Sequence, residues 1–203
     1  MFFDNWMIQQ HFIVYFVYRI IYPMKLKNFI IYILILLNCS CNSLYYHIES
    51  LNSNVELIKK GKIESVIFSK DADCFLCNLG VSRFTPTIKE INEAEEILKK
   101  NIKSANDPMY NQGDGCPIIH KNLKNYRRQY YGYIDNMGHK ILYVNFLWAR
   151  HSVLDRLKGY HMDDSESWKN DRVIVLDGCS YYWSIDINIT EQKLQNMSVN
   201  GSA

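Results

Sequence analysis

The chain has 203 residues, of which 48% are hydrophobic and 14% aromatic, enough for one globular core with appendages and too many for wholesale disorder. Its net charge is +2, but removing Arg19, Lys25 and Lys27 from 23 basic residues and Asp4 from 21 acidic ones leaves 20 of each beyond residue 40. A neutral body whose Lys and Arg cluster no further than pairs such as Arg127-Arg128 lacks the footprint of a polyanion binder, so nucleic acid is not an expected partner.

Residues 24–40 have the three parts of a secretory signal. Lys25 and Lys27 form a basic start, Phe29 to Leu37 an apolar run, and the small Ser40 precedes Cys41. The run is about nine residues, too short for a bilayer that needs roughly 20. This resembles the signal of bacterial lipoproteins, where cleavage leaves a lipid-bearing N-terminal cysteine. The resemblance implies Cys41 as the attachment point, with Cys39 as the alternative; Asn38 stands where that motif prefers Leu. Residues 1–23 hold a second apolar stretch, His11 to Tyr22, and read as an extension upstream of a start at Met24. The competing reading is one membrane helix from Phe12 to Leu37, in which Arg19, Pro23, Lys25 and Lys27 would be costly.

Residues 41–61 read as a tether, Asn42 to Asn54 being rich in Asn and Ser and Val55 to Gly61 forming a helical turn closed by glycine. The domain is expected over 62–203. Lys62 to Ser69 reads as a strand and Lys70 to Ser82 as a loop. Thr85-Pro-Thr87, with Glu90, then supplies a capping box and a proline in the first turn. Ile88, Ile91, Ala94, Leu98 and Ile102 form one apolar stripe, so a helix is expected to about Ser104. After a loop over 106–125, runs rich in aromatic and β-branched residues predict strands at Tyr126–Asp135, Lys140–Trp148, Arg172–Asp177, Ser180–Asn188 and Lys193–Val199, with a turn at Asn136–His139. The predicted fold class is α+β, an antiparallel sheet of about four to five strands packed on one main helix.

This helix, the hairpin around Gly132-Tyr-Ile-Asp-Asn-Met-Gly138, the run Val175-Leu-Asp-Gly-Cys-Ser-Tyr-Tyr-Trp183 and the closing Asn200-Gly-Ser-Ala203 resemble a family of small bacterial lipoproteins over about 62–203. The layout is similar to cystatin-like and PepSY-like domains, which implies binding or inhibition rather than catalysis.

Several groups could carry chemistry. Cys74-Phe-Leu-Cys77 has the spacing of a redox pair or a zinc half-site, but no second such pair completes a metal site. With Cys116 and Cys179 it gives four cysteines and three pairings, and a structural disulfide is the simpler use in an exported protein. The interval 149–171 carries His151, Asp155, His161, Asp163, Asp164 and Glu166, which could hold a cation or form a solvated turn. His120 and His139 stand alone as surface residues. There is no Gly-x-Ser-x-Gly elbow, phosphate loop or dinucleotide fingerprint. Tyr131, Tyr133, Tyr143, Tyr181 and Trp183 are the candidate ligand-binding face; their competing role is cross-strand pairing within the sheet.

These readings predict a non-enzymatic binding or structural module without a cofactor or metal. It is anchored by lipid on the extracytoplasmic side of the cell envelope (outer membrane or periplasmic face) and takes a protein or peptide partner. The alternative is a thiol-disulfide oxidoreductase using Cys74 and Cys77, and a third reading is metal-assisted hydrolysis from the 149–171 interval.

Overall fold

The structure is a computed structural model that describes residues 46–73, 82–149 and 166–201. These form a single eight-stranded sheet with the order β1-β2-β3-β5-β6-β7-β8. The strands are β1 (His47–Asn52), β2 (Val55–Lys60), β3 (Ile63–Phe68), β4 (Ser82–Phe84), β5 (Tyr126–Ile134), β6 (Lys140–Trp148), β7 (Tyr182–Asn188) and β8 (Lys193–Val199). Neighbours pair antiparallel except β3 and β5, which run parallel with Ser65 opposite Arg128 and Phe68 opposite Tyr131. The short β4 lies off the main path. It continues along the same edge of β5 beyond β3, with Phe84 opposite Gly132. A Cβ on Gly132 would stand 2.5 Å from the Phe84 carbonyl, so glycine here permits the close approach of β4.

The main helix, α1 (Ile88–Ala105), begins as its sequence directs. Thr87 Oγ1 accepts from the Glu90 backbone N–H, and Glu90 Oε2 accepts from the Thr87 backbone N–H at 2.9 Å, which completes the capping box. Ile91, Ala94, Ile97, Leu98 and Ile102 are buried against Ile58, Ile67, Tyr130, Val144, Phe146, Trp183, Ile185 and Ile187. A single-turn helix, α2 (Ile119–Asn122), leads through a 3-10 turn, Leu123–Asn125, into β5.

The expected antiparallel sheet of four to five strands on one helix is corrected. The sheet is mixed, has eight strands and buries parts of both faces. On the face away from α1, Val55, Leu57, Val66, Phe68, Tyr131 and Leu147 pack with Ala72 and Trp168 in a second core. Burial on two sides explains the adjacent apolar residues Leu57-Ile58 in β2 and Val66-Ile67-Phe68 in β3. Two further expectations fail for related reasons. Residues 47–60, read as a tether and a helical turn, form the hairpin of β1 and β2, because Leu57 and Ile58 are buried on opposite faces as only a strand allows. Arg172 to Val175 form no named strand. The Val173 N–H donates to Gln129 Oε1 and its carbonyl accepts from Asn145 Nδ2, so two side chains on the sheet take the place of a ladder partner.

A disulfide joins Cys116 to Cys179 with a Cα separation of 6.2 Å. Around it Ser180 Oγ donates to Pro117 O, Tyr181 Oη to Gly115 O and the Cys179 N–H to Gly201 O. The loop after α1, the entry to β7 and the end of the described chain are thereby stitched together.

Candidate functional site

The five aromatic residues expected to form one binding face do not share one. Tyr143 lies opposite Asp186 and Phe146 opposite Trp183, and residues 143 and 146 fall on different sides of the pleat. Trp183 therefore stacks on Phe146 at 3.8 Å in the core beneath α1. Tyr131 is fully buried on the other face, stacked on Phe68 at 4.4 Å. Tyr133 is buried, with its hydroxyl donating to Asp186 Oδ2 at 2.9 Å, and Tyr143 accepts from Arg172 Nη2 at 2.6 Å. Tyr181 lies in the 3-10 turn before β7, where the alternation that would align it with Trp183 is broken, and packs edge-on to Trp148. The cross-strand role describes most of these rings, and burial removes Tyr131, Tyr133 and Trp183 from solvent.

The buried polar groups of the sheet are engaged in the same way. Arg128, 2% exposed, meets Glu95 of α1 at 2.8 Å and donates to the carbonyls of Tyr126 and Leu123. Burial pulls the Arg128 pKa down, but the adjacent Glu95 carboxylate together with Tyr130 and Tyr46 raises it by more and keeps the guanidinium charged. Tyr130 donates to the same carboxylate at 2.7 Å, and burial raises its phenol well above the ordinary value. Gln129 and Asn145 bond each other and hold the backbone of Trp168, Asp171 and Val173. Each of these groups fixes one element to another.

Charged side chains face open space instead at the end of the sheet where β3 and β5 begin. A parallel pair sets the starts of its two strands side by side. Lys62 immediately precedes β3, Lys124 lies two residues before β5, and both come to one edge. The turn between β2 and β3 places Gly61 at a φ of +62°, in the left-handed region, and so sets Lys62 in a tight two-residue turn directly after Lys60. The result is a cleft of ≈ 590 Å³ lined by Lys60, Lys62, Lys124 and Arg127, with Glu64 the one carboxylate among the described lining residues. Glu64 is already paired, at 3.3 Å with Lys59 and at 3.6 Å with Arg127. Lys62 and Lys124 are exposed and, among the described residues, form no ion pair. Arg127 is fixed by stacking its guanidinium 4.8 Å from the Trp168 ring.

This concentration of positive charge was not foreseen from pairs in the sequence. Lys59-Lys60-Gly61-Lys62 was the available signal; the contribution of Lys124 depends on strand order. Cys39, Cys41, Cys74, Cys77 and the residues 150–165, with their histidines and aspartates, lie outside the described residues. Glu166 begins a 3-10 turn and pairs with Lys169. His120 Nδ1 lies 3.1 Å from Asn106 Nδ2, and His139 pairs with Asp135 at 3.1 Å, so neither stands alone. Among the described residues no group of three His, Cys, Asp or Glu could hold a metal, and no helix is long and apolar enough to cross a membrane. The chain matches no protein-family model, no curated protein and no solved structure.

Proposed function

We propose that this protein is a lipid-anchored module of the cell envelope that binds an anionic partner and performs no catalysis. The observation that carries the binding half is the cleft, where among the described residues four cations meet one carboxylate already in ion pairs, on a body whose total charge beyond residue 40 is balanced. Local excess on a neutral surface focuses the field at one place and selects for an acidic segment or group, unlike the broad basic face of a nucleic-acid binder. The anchoring half rests on the signal-like residues 24–40 and Cys41, with Cys39 as the alternative attachment point. The aromatic face is not part of this reading, because its members are buried or engaged within the sheet.

The anchor is tested by expressing the chain with Cys41→Ala, alone and with Cys39→Ala, and fractionating membranes. The double variant is expected to leave the membrane fraction or to remain unprocessed. Intact mass of the native protein should show an acyl group on a new N-terminus. A native mass beginning at Met1 without an acyl group would overturn the anchored reading.

A further inference from the structure

Tyr46, the first described residue, stands beside the basic cleft. Its ring lies 5.1 Å from Lys60 Nζ, and its hydroxyl donates to Asn92 Oδ1 of α1 at 2.6 Å. Lys60 Nζ reaches the same Asn92 oxygen at 3.4 Å. The entry of the chain into the sheet is thus fixed to one of the residues that lines the cleft.

Cys41 lies five residues before Tyr46, a distance of at most about 18 Å in fully extended chain. A lipid on Cys41 therefore leaves the Lys60, Lys62 and Lys124 end of the sheet within reach of the bilayer. Closeness decides the effect, because attraction to an anionic surface decays over about 8 Å at physiological ionic strength. Among the described residues the opposite end of the sheet offers no comparable excess. There Glu90 pairs with Lys140, Glu191 with Lys193 and Asp135 with His139.

From this placement we infer that the cleft is a second membrane contact, taking the phosphate of an anionic phospholipid headgroup beside the anchor. The inference rests on the anchored reading above and names the anionic partner of that reading. Lysine ammonium groups suit a phosphate as point charges, and two of them, Lys62 and Lys124, are exposed on either side of the opening. One acyl chain alone holds a protein to a membrane only marginally, whereas a chain plus a basic patch is a stable two-part anchor. The patch also orients the body, with the start of β1 and the cleft toward the lipid and the β5–β6 turn away from it.

The test uses the full chain carrying Cys39→Ala and Cys41→Ala, so that acylation contributes nothing. Co-sedimentation is compared on vesicles of phosphatidylcholine and on equimolar phosphatidylcholine and phosphatidylglycerol. The readout is the part of the preference for anionic vesicles that is lost on substitution in the cleft, since the apolar residues before Tyr46 act on both kinds of vesicle and Arg19, Lys25 and Lys27 are common to every variant. The preference is expected to fall about fivefold for each of Lys62→Gln and Lys124→Gln, corresponding to about 1 kcal/mol per cation at an anionic surface. Lys193→Gln, at the far end of β8, should leave it unchanged. Equal sedimentation on both vesicles, or a preference that the Lys62→Gln/Lys124→Gln variant retains undiminished, overturns the inference. A saturable response to soluble glycerol phosphate without vesicle preference assigns the cleft to a free phosphate and overturns it too. None of these outcomes depends on the acyl mass of the native protein, so failure here is distinct from failure of the anchor.

Discussion

Asp186 of β7 is 6% exposed, with Oδ2 accepting from Tyr133 Oη and from Asn196 Nδ2. Its other oxygen, Oδ1, is buried without a hydrogen-bond partner among the described residues. Burial raises its pKa above the ordinary aspartate value of 3.8, and the bonds from Asn196 and Tyr133 offset only part of that. The folded carboxyl thus holds its proton to higher pH than the unfolded one. Stability from this group is intact below 3.8 and is lost as pH rises through the folded value. Asp186→Asn keeps the two acceptor bonds and removes the titration. Thermal melts from acid to neutral pH should show the variant gaining on wild type as pH rises through this window. A pH-independent offset would refute the assignment. The basic residues of the cleft act differently, since Lys62 and Lys124 remain in water and contribute little to folding.

At the scale of elements, α1 is coupled to the sheet by an apolar stripe and by the Arg128–Glu95 pair. Arg128 is nearly enclosed and Glu95 partly so, with side-chain exposures of 3% and 23%. Glu95→Gln preserves shape but leaves the buried guanidinium without a counter-charge. Such a change is expected to cost about 3 kcal/mol, read as a shift in urea midpoint. A loss under about 1 kcal/mol would mean that the carbonyls of Tyr126 and Leu123 suffice to hold the charge. Several elements could be read directly from residues. The capping box of α1, the hairpin from β5 to β6 and the strand at Lys193–Val199 depend on neighbours a few positions away. The Arg172–Val175 stretch could not be read so, because what satisfies the Val173 backbone is a pair of amides 28 and 44 positions earlier in the chain. β2 misled for a related reason: its short apolar run with a terminal glycine suits a helical turn until β3 is laid beside it.

For the whole molecule, the Cys116–Cys179 link closes a loop of sequence separation 63. Chain-entropy arguments give such a closure about 4 kcal/mol. The double variant Cys116→Ser/Cys179→Ser should lose stability of that order in urea unfolding. A change below about 1 kcal/mol would show that the surrounding hydrogen bonds carry the junction without it. Pairing these two cysteines settles one of the alternatives that counting left open, since spacing cannot say which sulfurs approach.

By itself the sequence determined the helix and its cap, the aromatic strands from Tyr126 onward and the balanced charge beyond residue 40, because propensity, capping and composition are local or additive. Tertiary structure alone decided that β3 and β5 run parallel, that the sheet has two buried faces and that Trp183 lies on the face opposite Tyr131 and Tyr143. It also gathered Lys60, Lys62, Lys124 and Arg127 into one cleft. Strand order and register fix which distant residues become neighbours, and no periodicity within a single strand encodes its partner.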